Sequence, residues 1–133
     1  MKMIDVAHYP GRHCASTGLR NIVNFQNFSW SEALCFGIGA GLGIYYINLK
    51  GISPSRMIHT RSADIEKQFF SRIGLNFSWE QFKNATEGEE ALCKAIEGGL
   101  PIILQSDIYH LPYFNTKTHF PGHVITAWGY DPK

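Results

Sequence analysis

The stretch Gly11-Arg12-His13-Cys14-Ala15-Ser16-Thr17-Gly18-Leu19-Arg20 decides the reading of the whole chain. A small polar cluster leads up to Cys14. After it, Ala15, Leu19, Ile22 and Val23 recur at the i, i+4, i+7, i+8 spacing of one buried helix face. The pattern predicts a helix over residues 14–24 with Cys14 in its first turn. There the unpaired N–H groups and the positive end of the dipole favour a thiolate over a thiol. Arg12 and His13 add positive potential. A thiolate so placed is a nucleophile, but it has no base nearby in sequence. The rich source of one is His119-Phe120-Pro121-Gly122-His123-Val124-Ile125-Thr126-Ala127-Trp128-Gly129-Tyr130-Asp131, in which His123 heads an apolar strand. The plainer reading of Cys14 is a small apolar residue lost in packing. Its place at the polar start of the helix, off the apolar stripe, argues against that. Cys35 and Cys93 lie inside helical patterns and read as inert packing residues.

Composition bounds the function. The 133 residues suffice for one domain, 1–133, around one core, and 44% hydrophobic against 17% charged makes it globular. A net charge of +1 gives no nucleic-acid footprint and no acidic partner. Three irregularly spaced cysteines make no disulfide framework, so a reducing, cytoplasmic setting is expected. The N-terminus lacks the apolar region of a signal peptide. The longest apolar run, residues 33–47, is broken by four glycines and is too short for a membrane span.

Along the chain, residues 1–10 read as an extended lead-in. Ser29-Trp30-Ser31-Glu32 is a capping-box pattern opening a short second helix through Phe36. The run Gly37-Ile38-Gly39-Ala40-Gly41-Leu42-Gly43 looks like a phosphate loop only superficially. A dinucleotide fingerprint has a strand before and a helix after, whereas here a helix precedes and a strand follows. Close packing against the first helix is expected of these glycines instead. Residues 44–48 and 56–60 flank Lys50-Gly51-Ile52-Ser53-Pro54 as a hairpin, or as a strand and an arm. Ser62 caps a third helix stopped by Gly74, and Thr86-Glu87-Gly88-Glu89 boxes a fourth ended by Gly98-Gly99. Residues 77–82 are irregular. Residues 101–107 form a continuous apolar strand, the pattern of a central buried one. Residues 108–121 form an aromatic loop, and residues 124–130 a last strand. Helices first and strands later make an α+β domain, helices packed on a small, mainly antiparallel sheet.

A Cys opening an early helix and a His opening a late strand is the order of the papain-like thiol fold. The strand from His123 to Asp131 resembles the His strand of bacteriocin-processing thiol peptidase domains. More closely, the chain resembles the butirosin biosynthesis protein H N-terminal domain family. The resemblance is carried by residues 11–16, 19–21, 31–43, 107–113 and 119–131, in order over essentially the full length. It implies cysteine-dependent acyl transfer, moving an acyl or aminoacyl group from an acyl carrier protein or small-molecule thioester to an amine in antibiotic biosynthesis, without a cofactor.

Two departures stand out. Papain-like peptidases have a Gln six residues before the nucleophile, and this chain has His8, whose N–H is then the oxyanion donor. The third triad member belongs to a strand after the His strand, and only Asp131 remains near His123. Eight residues of extended strand span about 26 Å, so contact needs a sharp bend. Asp107 is the alternative orienting group. The chain is therefore expected to be the front part of a longer protein, with an unfinished sheet edge beside residues 124–130 through which a second copy pairs. The catalytic set is Cys14, His123 and Asp131, with His8 at the oxyanion. His13, Asp107, Tyr109, Tyr113 and His119 are assigned to substrate binding, the last four on a loop that keeps water out. Three competitors remain. One is a papain-like peptidase or amidase, and another is a non-catalytic binding domain with the same cleft. The third is a metal site of His13, Cys14, His119 and His123, against which Pro121-Gly122 argue by breaking the helix that a His-x-x-x-His pair needs.

Overall fold

The predicted first helix forms over Cys14–Phe25 (α1), and Ala15, Leu19 and Val23 bury the face their spacing predicts. The computed structural model describes residues 1–51 and 55–132. A short strand, β1 (Lys2–Met3), precedes α1. After it come α2 (Glu32–Ile38), β2 (Leu42–Asn48), β3 (Arg56–Arg61), α3 (Ile65–Arg72), α4 (Ala85–Glu97), β4 (Ile102–Ser106), β5 (His123–Ala127) and β6 (Gly129–Tyr130). Two 3-10 turns, at Ile108–His110 and Pro112–Phe114, interrupt the loop between β4 and β5. Among the described residues this is a small α+β domain of four helices and three two-stranded antiparallel ladders.

The sheet that matters is the pair β4–β5, which runs from Ile102 opposite Ala127 to Ser106 opposite His123. After Trp128, β6 continues β5 and pairs with β1, Lys2 opposite Tyr130. The Ile4 N–H donates to the Trp128 carbonyl at 2.7 Å. Thus β1 takes the edge along β6, while β5 pairs with β4 alone among the described residues.

α1 lies directly on this sheet. A Cβ built on Gly18 would stand 3.5 Å from both Val124 Cγ1 and Thr126 Oγ1, and 3.9 Å from Ile103 Cδ1. These are ordinary van der Waals distances, so the helix packs on the sheet at normal separation. Val124 joins Ala15, Leu19, Val23, Cys35, Ile65 and Phe69 in one core cluster, which α2 and α3 complete. Ile96 of α4 is fully buried outside that cluster, and α4 contacts β1, β4 and β6. The sheet is therefore covered by α1 on one face and α4 on the other.

Several local expectations need correction. The cap of α2 is Ser31, whose Oγ accepts from the Leu34 N–H at 3.1 Å, and not Ser29. The helix begins two residues later than the box suggests, which frees Glu32 for another role. α4 is likewise capped two residues early, by Asn84, whose Oδ1 accepts from the Glu87 N–H at 2.9 Å. Asp64 is at the cap position of α3 without a side-chain cap bond, while Ser62 Oγ accepts from its N–H at 3.3 Å. Gly74 and Gly99 do terminate α3 and α4 with positive φ, 78° and 80°.

The glycine run packs on α3 and on its own neighbours, not on α1. A Cβ on Gly39 would lie 2.4 Å from Ile65 Cγ1 and 2.9 Å from the Ile65 carbonyl oxygen. Gly39→Ala is therefore expected to lose about 2 kcal/mol of stability by overpacking. Urea denaturation checks this, and an unchanged midpoint would mean that α2 and α3 part freely. Residues 42–48 and 56–61 form a hairpin, Tyr46 opposite Ile58. Part of its predicted turn, residues 52–54, lies outside the described residues.

β4 is not a central strand. Its continuous apolar pattern has another cause: Ile103 faces α1, alternation sends Ile102 and Leu104 to the other face, and both faces are covered by helices. In the hydrogen-bonding direction β4 has one neighbour only among the described residues.

Candidate active site around Cys14 and His123

Cys14 is the first residue of α1 and is half-buried. His13 is the helix cap, with extended backbone (φ −137°, ψ 124°), and its Nδ1 accepts from the Ser16 N–H at 3.4 Å. The first intrahelical bond runs from the Thr17 N–H to the His13 carbonyl at 2.9 Å. The N–H groups of Cys14 and Ala15 are left without an acceptor among the described residues. Two free N–H groups at a helix start, beside a thiol, form a donor pair for an oxyanion.

Glu32 is the residue that sequence reasoning missed. From the start of α2 its carboxylate reaches across to the turn leading into Cys14. It accepts from the Arg12 N–H (3.0 Å to each oxygen), the His13 N–H (2.8 Å), Ser16 Oγ (3.1 Å) and Thr17 Oγ1 (3.1 Å). Burial pushes the Glu32 pKa up, but the hydrogen bonds from Arg12, His13, Ser16 and Thr17 outweigh it and hold the carboxyl below its ordinary range. The signal was present as an acid at a helix start, but nothing in the spacing says that it serves a different helix. The same cluster alters the role of His13. Its ring lies edge-on to Phe36 at 5.3 Å, and burial first, then Arg61, lowers its pKa against the opposing pull of Glu32. His13 is thus a neutral cap, rather than a source of positive potential.

His123 opens β5 and is half-buried. α1 and β5 run side by side in the same sense. Gly18 lies against Val124 and Thr126, and three residues on, Asn21 reaches Trp128 through His8. Cys14 is one turn back from Gly18, about 6 Å along the axis. About 3.3 Å per strand residue then brings it level with the start of β5. Val124 and Thr126 point at α1, and alternation turns His123 away from that face. Its ring meets Phe114 edge-on, 5.0 Å between centroids. Burial alone lowers the His123 pKa, with no contribution from any charged or hydrogen-bonded partner. His123 is therefore a neutral imidazole at pH 7, able to accept a proton. Among the described residues it has no hydrogen bond to Cys14 and no orienting carboxylate.

Asp107, Tyr109 and His119 come together. One Asp107 oxygen accepts from the Tyr109 N–H (3.0 Å) and the Phe120 N–H (2.8 Å), the other from His119 Nδ1 (2.8 Å). The Tyr109 and His119 rings stack at 4.2 Å. Asp107 follows Ser106, which pairs with His123, so this knot ties down the loop beside the candidate base. Tyr113 is exposed and packs on Phe114, which in turn touches His123. The Tyr109 N–H first, with help from His119 and the Phe120 N–H, holds the Asp107 carboxyl down to about 2. A carboxylate with a depressed folded pKa stabilises above its ordinary range, near pH 4, and that contribution is lost as pH falls through about 2. The Tyr109 and Phe120 amide proton shifts are expected to titrate with a midpoint near pH 2. A midpoint near 4 would show that the knot is not formed.

The remaining assignments lie apart. His8 stacks on Trp128 (5.1 Å, 29° between planes), and its Nδ1 accepts from Asn21 Nδ2 at 3.2 Å, because Asn21 Oδ1 is taken by Arg20 Nη2. That fixes the proton on His8 Nε2, a free donor. But Asn21 lies two turns from Cys14, roughly 10 Å along α1. Asp131 pairs with the Met1 ammonium at 3.6 Å, beyond the far end of the β5–β6 strand from His123. His13, Cys14, His119 and His123 do not gather: among the described residues no three His, Cys, Asp or Glu side chains make a metal-sized cluster. No helix described is long and apolar enough to cross a membrane.

Cys35 and Cys93 contrast with Cys14. Burial pushes the Cys35 thiol up to about 11. Burial, then Glu89 and Glu97, also raises Cys93. Both are held as thiols.

No curated protein and no solved structure matches the chain. One family does, and its match runs from His13 through Lys133, taking in Cys14, the Asp107 loop and His123 but leaving His8 outside. The chain belongs to the family described as butirosin biosynthesis protein H, N-terminal.

Proposed function

We propose that the chain is a papain-like, cysteine-dependent acyl-transfer domain of antibiotic biosynthesis. It takes an acyl or aminoacyl group from an acyl carrier protein or a small-molecule thioester and gives it to an amine. The single observation that carries the reading is a half-buried thiol at the start of the helix that packs on β5, beside two N–H groups without an acceptor among the described residues. The family's name ties it to the making of butirosin. Its three unpaired cysteines fit a reducing, cytoplasmic setting.

His123 rests on Phe114, on the face turned away from α1. In this reading the first residue of β5 turns over towards α1, a backbone change that side-chain rotation alone does not supply, and His123 then takes the Cys14 proton. The Cys14 sulfur attacks the thioester carbonyl, and the oxyanion is met by the N–H groups of Cys14 and Ala15. The donor C–S bond breaks, and His123 returns the proton to the leaving thiol. The amine nitrogen then attacks the acyl-Cys14 carbonyl while His123 takes its proton; the C–N bond forms, the C–S bond breaks, and Cys14 leaves as a thiolate that recovers the proton from His123. The Asp107 loop keeps water from competing. With an aminoacyl thioester and an excess of a primary amine, amide product is expected to outrun hydrolysis. Free acid as the sole product would assign the chain to the peptidase or amidase class. The present rest of His123 on Phe114, without a carboxylate partner, favours a second reading, a binding domain with no chemistry. Consumption of thioester at the buffer rate would select it.

A further inference from the structure

A groove of about 840 Å³ lies away from Cys14. It runs between β4, α4 and residues 77–82, and its size is that of a ligand site. Its floor has an unusual feature. Four consecutive residues of β4, Ile102 to Gln105, all line it. A strand face contributes every second residue, so a groove lined by all of them is lined by the strand's edge. That edge is open, since β4 pairs with β5 alone among the described residues, and residues 77–82 make no backbone hydrogen bond to it. Alternate N–H and C=O groups of β4 therefore point into the groove unpaired. Pro101, with no N–H to offer, enters the strand as expected of an edge.

The walls are apolar and fixed. Phe77 stacks on Phe70 (5.0 Å, 7°) and Trp79 stands edge-on to Phe77 at 5.2 Å, which anchors residues 77–82. Leu92 faces them from α4. The groove's charged side chains are Glu80 and Glu89, with no cation among its lining residues. A second copy's β4 lies in the same recess between the same walls, so two copies cannot bring these edges together. A free extended chain can enter.

We propose that the groove binds an extended peptide as a strand added to β4, apolar side chains against the aromatic and α4 walls, and a lysine or arginine at Glu80 and Glu89. This peptide site is separate from the chemistry at Cys14 and stands whether or not Cys14 reacts.

The test uses the full chain and a fluorescein-labelled heptapeptide with lysine at both ends and valine or isoleucine alternating with threonine between. Two isomers N-methylated on opposite edges serve as controls. Anisotropy is expected to show saturable binding, weakened at least tenfold by methylation of one edge and little changed by the other. Exchanging the terminal lysines for glutamate is expected to weaken binding at least fivefold, and E80Q with E89Q to abolish that difference. Amide hydrogen exchange in β4 should slow at least tenfold at saturation. Trp79→Ala, checked for folding by circular dichroism, should weaken binding without altering thioester turnover. No saturable binding, equal binding of both methylated isomers, or protection confined to the β2–β3 hairpin overturns the proposal. So does β4 protection in a dimer without peptide, which would make a second copy the occupant.

Discussion

Replacing Cys14 by alanine is expected to cut thioester consumption by at least about 10³-fold while leaving the fold intact. The side chain is half-buried at a helix start, so its removal opens little cavity. His123→Ala is expected to slow the reaction by about 10²–10⁴-fold, the range for loss of a general base. The two changes should not add, because the base acts only through the nucleophile. A packing role for Cys14 predicts the reverse pattern, a loss of stability with no effect on thioester. Initial rates with an aminoacyl thioester, read beside thermal melts, separate the two.

The second large effect belongs to Glu32. Glu32→Ala leaves the Arg12 and His13 N–H groups and the Ser16 and Thr17 hydroxyls without their acceptor. Charged hydrogen bonds and helix caps of this kind contribute about 1–3 kcal/mol each before water compensates, and the sites here are half-open. A loss on the order of 3 kcal/mol is expected, or roughly 10 °C in Tm. Glu32→Gln should cost less, since one amide oxygen still accepts. The turn that aims Cys14 loosens in both, so the rate should fall although Glu32 touches no substrate, with kcat affected more than KM. A change in Tm below about 2 °C would show that the Glu32 cluster contributes little.

The chain's first helix, its start at Cys14 and the helices-on-sheet layout were all legible, because each rests on local periodicity. Caps were legible in kind but displaced in position: Ser29 and Thr86 fit the box, yet the caps are Ser31, which has Leu34 rather than an acid three residues on, and Asn84, which has Glu87. β4 shows a deeper limit. Its apolar run reports that both faces are covered, and says nothing about how many strands lie beside it. Glu32 and His8 show another. A side chain's partners across the fold depend on how elements dock, so an acid at one helix start holds the turn that leads into a different helix, and a His six residues before Cys14 ends up two turns away beside Trp128. The Asp107 knot lay within the loop already marked for function, but the pairing of Asp107 with His119 is set by how that loop folds back.

The central claim is that Cys14 carries the acyl group. Its most direct test is mass mapping of the chain after brief exposure to an aminoacyl N-acetylcysteamine thioester without amine. The account predicts one acyl group per chain, on the peptide containing Cys14, discharged on adding amine and absent in Cys14→Ala. An unmodified chain, or acyl groups spread over Cys35, Cys93 and lysines, would contradict it.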